Sequence, residues 1–268
     1  MSTAHSDDQT PTLFRDDYHD KFSPVSYLSY YWGSERVQQD WFQFHLDGGY
    51  KYFRHEGISG TRLLDLGCGP NIGSMIGAPE HFTHIVMADF SQANLDVIKS
   101  WMRGDDVNFS WSHVCQYYLK KYALDPAFES TRLHSLKSYI KDIVQCDVLQ
   151  SEPLGPSYTG FFDCVFSSFC LETASRDIDT YRRSVLNVAS LLRDGGHLVM
   201  RGACGEHCYP VGGKNFHTLA LTPSHLTTAL TDAGFKVKEL QIEGVDDPDD
   251  VDVNKIHGFC VLAQKVGL

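Results

Sequence analysis

Five carboxylates in this chain stand beside apolar runs, where strand ends would present them to a ligand. Asp65 lies in "LLDLGCGPNIG" (63–73), Asp89 in "HIVMADF" (84–90) and Asp147 in "VQCDV" (144–148). Glu172 in "FCLE" (169–172) and Glu206 in "GACGEHCY" (202–209) follow two further runs. After Asp65, Gly67, Gly69 and Gly73 scan as G-x-G-x-x-x-G. Glycines at a strand-to-helix turn let backbone approach a ligand closely. Asp89 comes 22 residues after Gly67, a spacing that puts an acid at the end of the next strand to accept both ribose hydroxyls. A dinucleotide and S-adenosylmethionine (SAM) both meet that description. Asp65 separates them: a carboxylate repels pyrophosphate and attracts a sulfonium and an ammonium. Pro70 points the same way, because it removes an amide donor from the helix start that would hold phosphate.

SAM is therefore the expected cofactor, held by the loop Gly67, Cys68, Gly69 and Gly73 and by Asp89 with its neighbour Phe90. Asp147 would accept from the adenine amino group while the backbone at Val148 reads the ring. Methyl transfer from a sulfonium needs an acceptor lone pair and alignment, with no protein nucleophile. An aliphatic amine is mostly protonated at pH 7, so its site must hold an ammonium and then remove a proton, work suited to paired carboxylates. Glu172 and Glu206 are the candidates for that catalytic role, at the same open edge as the cofactor loop.

Such an edge requires strands that end together. "TRLLDL" (61–66), "HIVMADF", "VQCDV", "FFDCVFSSF" (161–169) and "HLVMRGAC" (197–204) alternate with helix-like segments. Ser91 caps a helix that ends at Gly104, and the twin glycines Gly195 and Gly196 are expected to cap the helix that starts near Asp177. "SWSHVCQYYLKKY" (110–122) and "PAFESTRLHSLKSYIKDIV" (126–144) read as amphipathic helices of an insertion over 105–142. Ser34 is expected to cap a helix carrying Val37, Trp41, Phe42 and Leu46, preceded by the aromatic cluster Phe22, Tyr27, Tyr30, Tyr31 and Trp32. A hairpin at 209–221 and a helix at 222–234 lead to two consecutive strands, "FKVKELQIE" (235–243) and "IHGFCVLAQKV" (256–266). The alternation implies an α/β fold, a parallel sheet with helices on both faces, and the ending implies a final antiparallel hairpin. Seven strands closing that way are typical of SAM methyltransferases rather than dehydrogenases. The expected organisation is a flexible arm over 1–20 and one domain over 21–268, with 21–60 as a lid.

The formal charge, 23 minus 34 or −11, repels phosphate backbones and favours cationic small molecules, so neither nucleic acid nor a membrane is an expected partner. No apolar run approaches the roughly 20 residues that span a bilayer, and the polar, acidic start lacks a secretory pattern. A cytoplasmic, monomeric protein is expected. The eight cysteines are scattered through apolar contexts and read as free thiols. "CGEHC" (204–208) has no second ligand pair at zinc spacing, so no metal is expected.

Taken together, "FSPVSYLSYYWGS" (22–34), "LLDLGCGPNIG", "ADFSQANLDVIKSWMR" (88–103), the stretch 169–199 that opens on "FCLE", and the terminal "AQKVGL" resemble the small-amine N-methyltransferases, the family of the phenylethanolamine, indolethylamine and nicotinamide enzymes. The resemblance runs from about Phe22 to the end, and "FCLE" and the ending resemble the phenylethanolamine branch most. It implies that Tyr27 and Tyr31 fold over SAM, that Asn94 lies at the ribose, that Ser168 lines the edge after the fourth strand, and that Tyr209 and Thr218 wall the acceptor pocket with Glu172 and Glu206. Where the family has a serine, a threonine and a cofactor-touching tyrosine, this chain has Cys68, Asn71 and Gly73. A third substrate carboxylate of the phenylethanolamine branch aligns with Val253 or Asn254, and the aspartate with which the nicotinamide enzyme grips its carboxamide aligns with Gly202. The function implied is SAM-dependent N-methylation of a small aryl-alkyl amine, with a nicotinamide-type enzyme or a SAM-binding protein without turnover as alternatives.

Overall fold

Apolar runs and amphipathic segments alternate as strands and helices in a computed structural model of the chain, which describes residues 11–105, 109–245, 251–252 and 255–266. Among the described residues the strands are β1 (Thr12–Leu13), β2 (Arg62–Leu66), β3 (His84–Asp89), β4 (Ile140–Gln145), β5 (Phe162–Ser168), β6 (Leu192–Cys204), β7 (Cys208–Val211), β8 (Lys214–His217), β9 (Phe235–Ile242) and β10 (His257–Lys265). The longer helices are α2 (Pro24–Tyr31), α3 (Asp40–Arg54), α4 (Gln92–Arg103), α5 (Ser112–Lys121), α6 (Glu129–Tyr139), α8 (Ile178–Leu191) and α9 (Pro223–Asp232), with single turns α1 (Tyr18–Lys21) and α7 (Leu171–Ala174).

Seven strands form one sheet in the order β4-β3-β2-β5-β6-β10-β9. The first five run parallel, and β10 enters antiparallel between β6 and β9, the reversed ending the sequence predicts. Both faces are covered, so the central strands are mostly apolar instead of alternating with polar residues. Leu63, Cys164 and Val199 pack on one face with Leu46, Tyr50, Val114 and Leu136 of α3, α5 and α6. Leu64, Val165 and Leu198 pack on the other with Tyr181, Val185 and Leu226 of α8 and α9.

Four local expectations are corrected. Ser34 caps no helix: α2 starts earlier, with the Ser23 hydroxyl accepting from Ser26 N and Pro24 in its first turn, and α3 starts only at Asp40. Both Pro at a first turn and a serine before it are strong starts. The helix expected through residue 144 ends at Tyr139, and β4 begins at Ile140, earlier than "VQCDV" suggested. As an edge strand β4 is only half-buried, which gives its residues a helix-like mixture of apolar and charged types. Gly195 and Gly196 do not cap α8, whose cap is Leu192; they lie inside β6, where a Cβ on Gly196 would crowd the Arg193 and Asp163 carbonyls. Of the arm expected over 1–20, residues 1–10 fall outside the described residues, while β1 pairs in parallel with β8 and α1 follows it.

Candidate active site

The strand order reverses between β2 and β5, and in an open α/β sheet the crevice beyond such carboxyl ends receives the ligand. Asp89, at the end of β3, organises it. Its carboxylate accepts from Gly69 N at 2.8 Å, Ser91 N at 2.8 Å and Asn94 Nδ2 at 3.0 Å, tying the glycine loop to the start of α4. Burial raises its pKa while those three donors oppose the rise. Gly67 and Gly69 hold φ of 70° and 60°, conformations that favour glycine. A Cβ on Gly67 would overlap the Cys170 side chain, so the loop has both reasons to stay bare there.

A cavity opens over this loop. Of the residues assigned to the cofactor from the sequence, Tyr27, Tyr31, Gly67, Cys68, Gly69, Asp89, Phe90, Asn94, Asp147, Val148 and Ser168 line it. Gly73 lies outside the wall, beneath the Trp32 and Trp111 rings, which a Cβ would strike. Its carbonyl accepts from Tyr50 Oη at 2.7 Å. Packing, then, explains the glycine at 73.

The N-terminal segment through α2 closes the cavity from outside. Tyr18 and Tyr209 share a hydroxyl hydrogen bond, and Tyr31 Oη donates to the Pro210 carbonyl at 3.1 Å. Arg15 reaches Asp147 Oδ2 at 2.8 Å and lays its guanidinium 4.2 Å from the centre of the Phe90 ring. Partial burial raises the Asp147 pKa, but the Arg15 hydrogen bond and the Leu149 amide outweigh it and hold the carboxyl below its ordinary range.

The two glutamates differ in place. Glu206 lines the cavity with Tyr31 and Tyr209, and burial pushes its carboxyl up to about 7. Glu172 stands behind the wall against Gly202 and Phe259, with Oε1 buried and unpartnered among the described residues. Burial first, then the Glu206 charge, push it to about 8. Thr218, also assigned to the acceptor pocket, is buried outside the wall, its amide donating to the His207 carbonyl at 3.0 Å. Val253 and Asn254 lie outside the described residues.

Asp65 does not behave as its sequence position suggests. It is buried away from the cavity, and burial pushes its carboxyl to about 8, leaving it largely neutral at pH 7. The wall also holds Arg15, Arg36 and Arg201 beside Asp89, Asp147 and Glu206, so it is mixed in charge rather than uniformly acidic.

Several wall residues escaped the sequence reading: Arg15, Trp41, His45, Phe169 and Arg201. His45 is buried, with both ring nitrogens unpartnered among the described residues, and its ring meets Trp41 at 4.8 Å and Phe169 at 4.7 Å. Burial, assisted by Arg201, holds its imidazole well below the ordinary pKa. Phe169 has φ of 51°, a strained setting for a bulky residue that turns the chain sharply after β5.

This fold and this cavity define a Rossmann-like SAM methyltransferase. Solved structures agree in fold: a SAM-dependent methyltransferase from Methanosarcina mazei has a TM-score of 0.54 at 16% identity, covering 80% of this chain and 97% of its own. The N-methyltransferase NodS from Bradyrhizobium japonicum WM9, solved with S-adenosylhomocysteine (SAH), has 0.51 at 14% identity, covering 88% and 98%. The chain matches the NNMT/PNMT/TEMT family over residues 10–266 and belongs to it. It is 32% identical to the nicotinamide N-methyltransferase of Homo sapiens over 237 residues, 85% of this chain and 87% of the relative. The indolethylamine N-methyltransferase of Mus musculus is 31% identical over 225 residues, 83% and 85%, and the phenylethanolamine N-methyltransferase of Homo sapiens 30% over 221 residues, 79% and 76%. Identities this similar do not rank the three branches. The protein is a SAM-dependent N-methyltransferase, and no helix among its described residues is long and apolar enough to cross a membrane.

Proposed function

We propose that this protein methylates the amino nitrogen of a small aryl-alkyl amine, phenylethanolamine- or tryptamine-like. The observation that carries this reading is Glu206: a buried carboxyl in the wall of the cavity over the glycine loop, backed by the second buried carboxyl of Glu172. When bound, SAM supplies an electrophilic methyl on a sulfonium, and Asp89, Asn94, Asp147 and Val148 are the residues that would hold its nucleoside. Glu206 holds the ammonium and takes its proton. Tyr31 and Tyr209 exclude water above it, Trp41 and Phe169 pack the aryl end, and Glu172, largely protonated at pH 7, backs Glu206 without adding a charge. Transfer of radiolabelled methyl to phenylethanolamine- and tryptamine-like amines, with none to nicotinamide, supports the assignment. Label on nicotinamide with none on the amines overturns it.

Gly202 gives the carboxyl pair its space. A Cβ there would overlap Glu172 Oε1, so one position cannot hold a side chain while the other keeps its acid in place. Gly202→Ala is expected to lower kcat with amines about tenfold or more, of the order expected when an acid–base group is misplaced, and to leave SAH affinity unchanged. Adding Glu172→Ala to Gly202→Ala recovers only part of the thermal stability that the alanine costs, because the overlap with the Phe259 ring remains, and does not restore the rate. Recovery of rate in the double variant would show that Glu172 has no part in turnover.

Arg15 now stacks on Phe90 and bonds Asp147, the carboxylate assigned to the adenine amino group. Adenine and the guanidinium cannot share it, so binding must displace Arg15 first, which lowers apparent affinity by the fraction of open protein. A partly buried pair of this kind is worth about 1 kcal/mol. Arg15→Ala is thus expected to bind SAH about threefold to tenfold more tightly by calorimetry, an affinity gain that added salt reproduces in the wild type. Unchanged or weaker binding contradicts the displacement.

A further inference from the structure

One guanidinium in the cavity wall is buried without an anion beside it. Arg201, on β6, is 5% exposed and forms no ion pair among the described residues. Its Nε donates to Ser168 Oγ at 2.8 Å, Nη1 to the His45 carbonyl at 2.8 Å, and Nη2 to Ser74 Oγ. Its Cζ lies 5.1 Å from the centre of the Phe166 ring. All of these partners are neutral. Cys260, Tyr50 and Asp65 bear on it electrostatically, and burial pushes all three up, leaving them largely neutral at pH 7. Buried arginines are otherwise almost always paired, because an uncompensated charge in a low-dielectric interior is costly.

The unused donors tell what would compensate it. A guanidinium has five N–H groups; three are engaged, and five minus three leaves two, one on each Nη. One donor left on each of two Nη atoms can meet the two oxygens of a carboxylate. Position narrows the choice further. Ser168 ends β5 and Ser74 follows the glycine loop, so the guanidinium bridges the two sides of the crevice that the cofactor is to occupy, with Tyr27 of the closing segment among its electrostatic neighbours.

We propose that Arg201 is a carboxylate-binding residue, and that the carboxylate it receives is that of the amino-acid end of SAM. The inference rests on SAM as cofactor but not on the choice of acceptor. It gives the cavity a division of labour: acids at the nucleoside and the amine, one fixed cation for the cofactor's anionic end.

Calorimetric titration of SAH and of methylthioadenosine, which keeps the nucleoside and thioether but has no amino acid, tests it. Arg201→Met should weaken SAH by about 100-fold, the order of a lost charge-assisted pair, and leave methylthioadenosine within about threefold. Arg201→Lys, which keeps the charge and loses the fork, should weaken SAH about tenfold and serves alone if the methionine variant does not fold. Equal losses for both nucleosides, or no loss for either, overturn the proposal. Unchanged SAH binding with a raised KM for a carboxylate-bearing acceptor assigns the anion to the acceptor and overturns the cofactor assignment. A wild-type protein that binds neither nucleoside overturns SAM as the cofactor instead.

Discussion

Asp89→Ala is expected to abolish useful SAM binding, weakening SAH by about 100-fold to 1000-fold in calorimetry. Two effects add. The ribose hydroxyls lose a carboxylate acceptor, each charge-assisted bond contributing about 1.5–3 kcal/mol, and about 1.4 kcal/mol is tenfold in affinity. The glycine loop also loses its anchor, because Gly69 N, Ser91 N and Asn94 Nδ2 all donate to that carboxylate. Asp89→Asn keeps one oxygen and the shape, so it should fall between the two. Affinity within threefold of wild type in the alanine variant would remove Asp89 from the cofactor site.

Glu206→Gln should keep SAH affinity and lose about 100-fold or more in kcat with amines, the range typical of a general acid–base group. The pH profile gives the sign. With a carboxyl pKa near 7, raised by burial, Glu206 is protonated below that pH and cannot hold a cation; kcat/KM should rise with pH through about 7. Glu206→Gln flattens that limb. Glu172→Gln should also slow turnover, but because burial pushes Glu172 to about 8 it is largely neutral where Glu206 titrates, so the limb should stay near pH 7. An unaltered profile in Glu206→Gln, at wild-type rate, would mean that the amine is handled elsewhere.

The sheet was readable because its strands, buried on both faces, are plain apolar runs with turn residues between them, and the reversed ending followed from two runs with no helix between. Asp89, Asp147 and Glu206 were readable because strand ends expose acids at one edge. Boundaries failed where an element's local signal was shared: the edge strand β4 carries the polar residues of a surface helix, and Gly195–Gly196 serve a crowded strand start as well as they would a helix cap. Asp65 shows a different limit. Its charge depends on burial, which spacing does not report. Arg15 and His45 reach the cavity from segments distant in the chain, and only the tertiary fold brings them there. Arg201 did leave a signal, a single charge inside the otherwise apolar "HLVMRGAC". A buried strand tolerates such a residue only with a partner or a task.

The cavity joins these features in one account: a methyl donor laid across the glycine loop, and an amine brought to it by buried acids. A cocrystal with SAH and an acceptor amine tests this most directly. The amino nitrogen is expected within hydrogen-bond distance of Glu206, or one water away, with the aryl group against Trp41 and Phe169. An amine whose nitrogen lies remote from both Glu206 and Glu172 would contradict it.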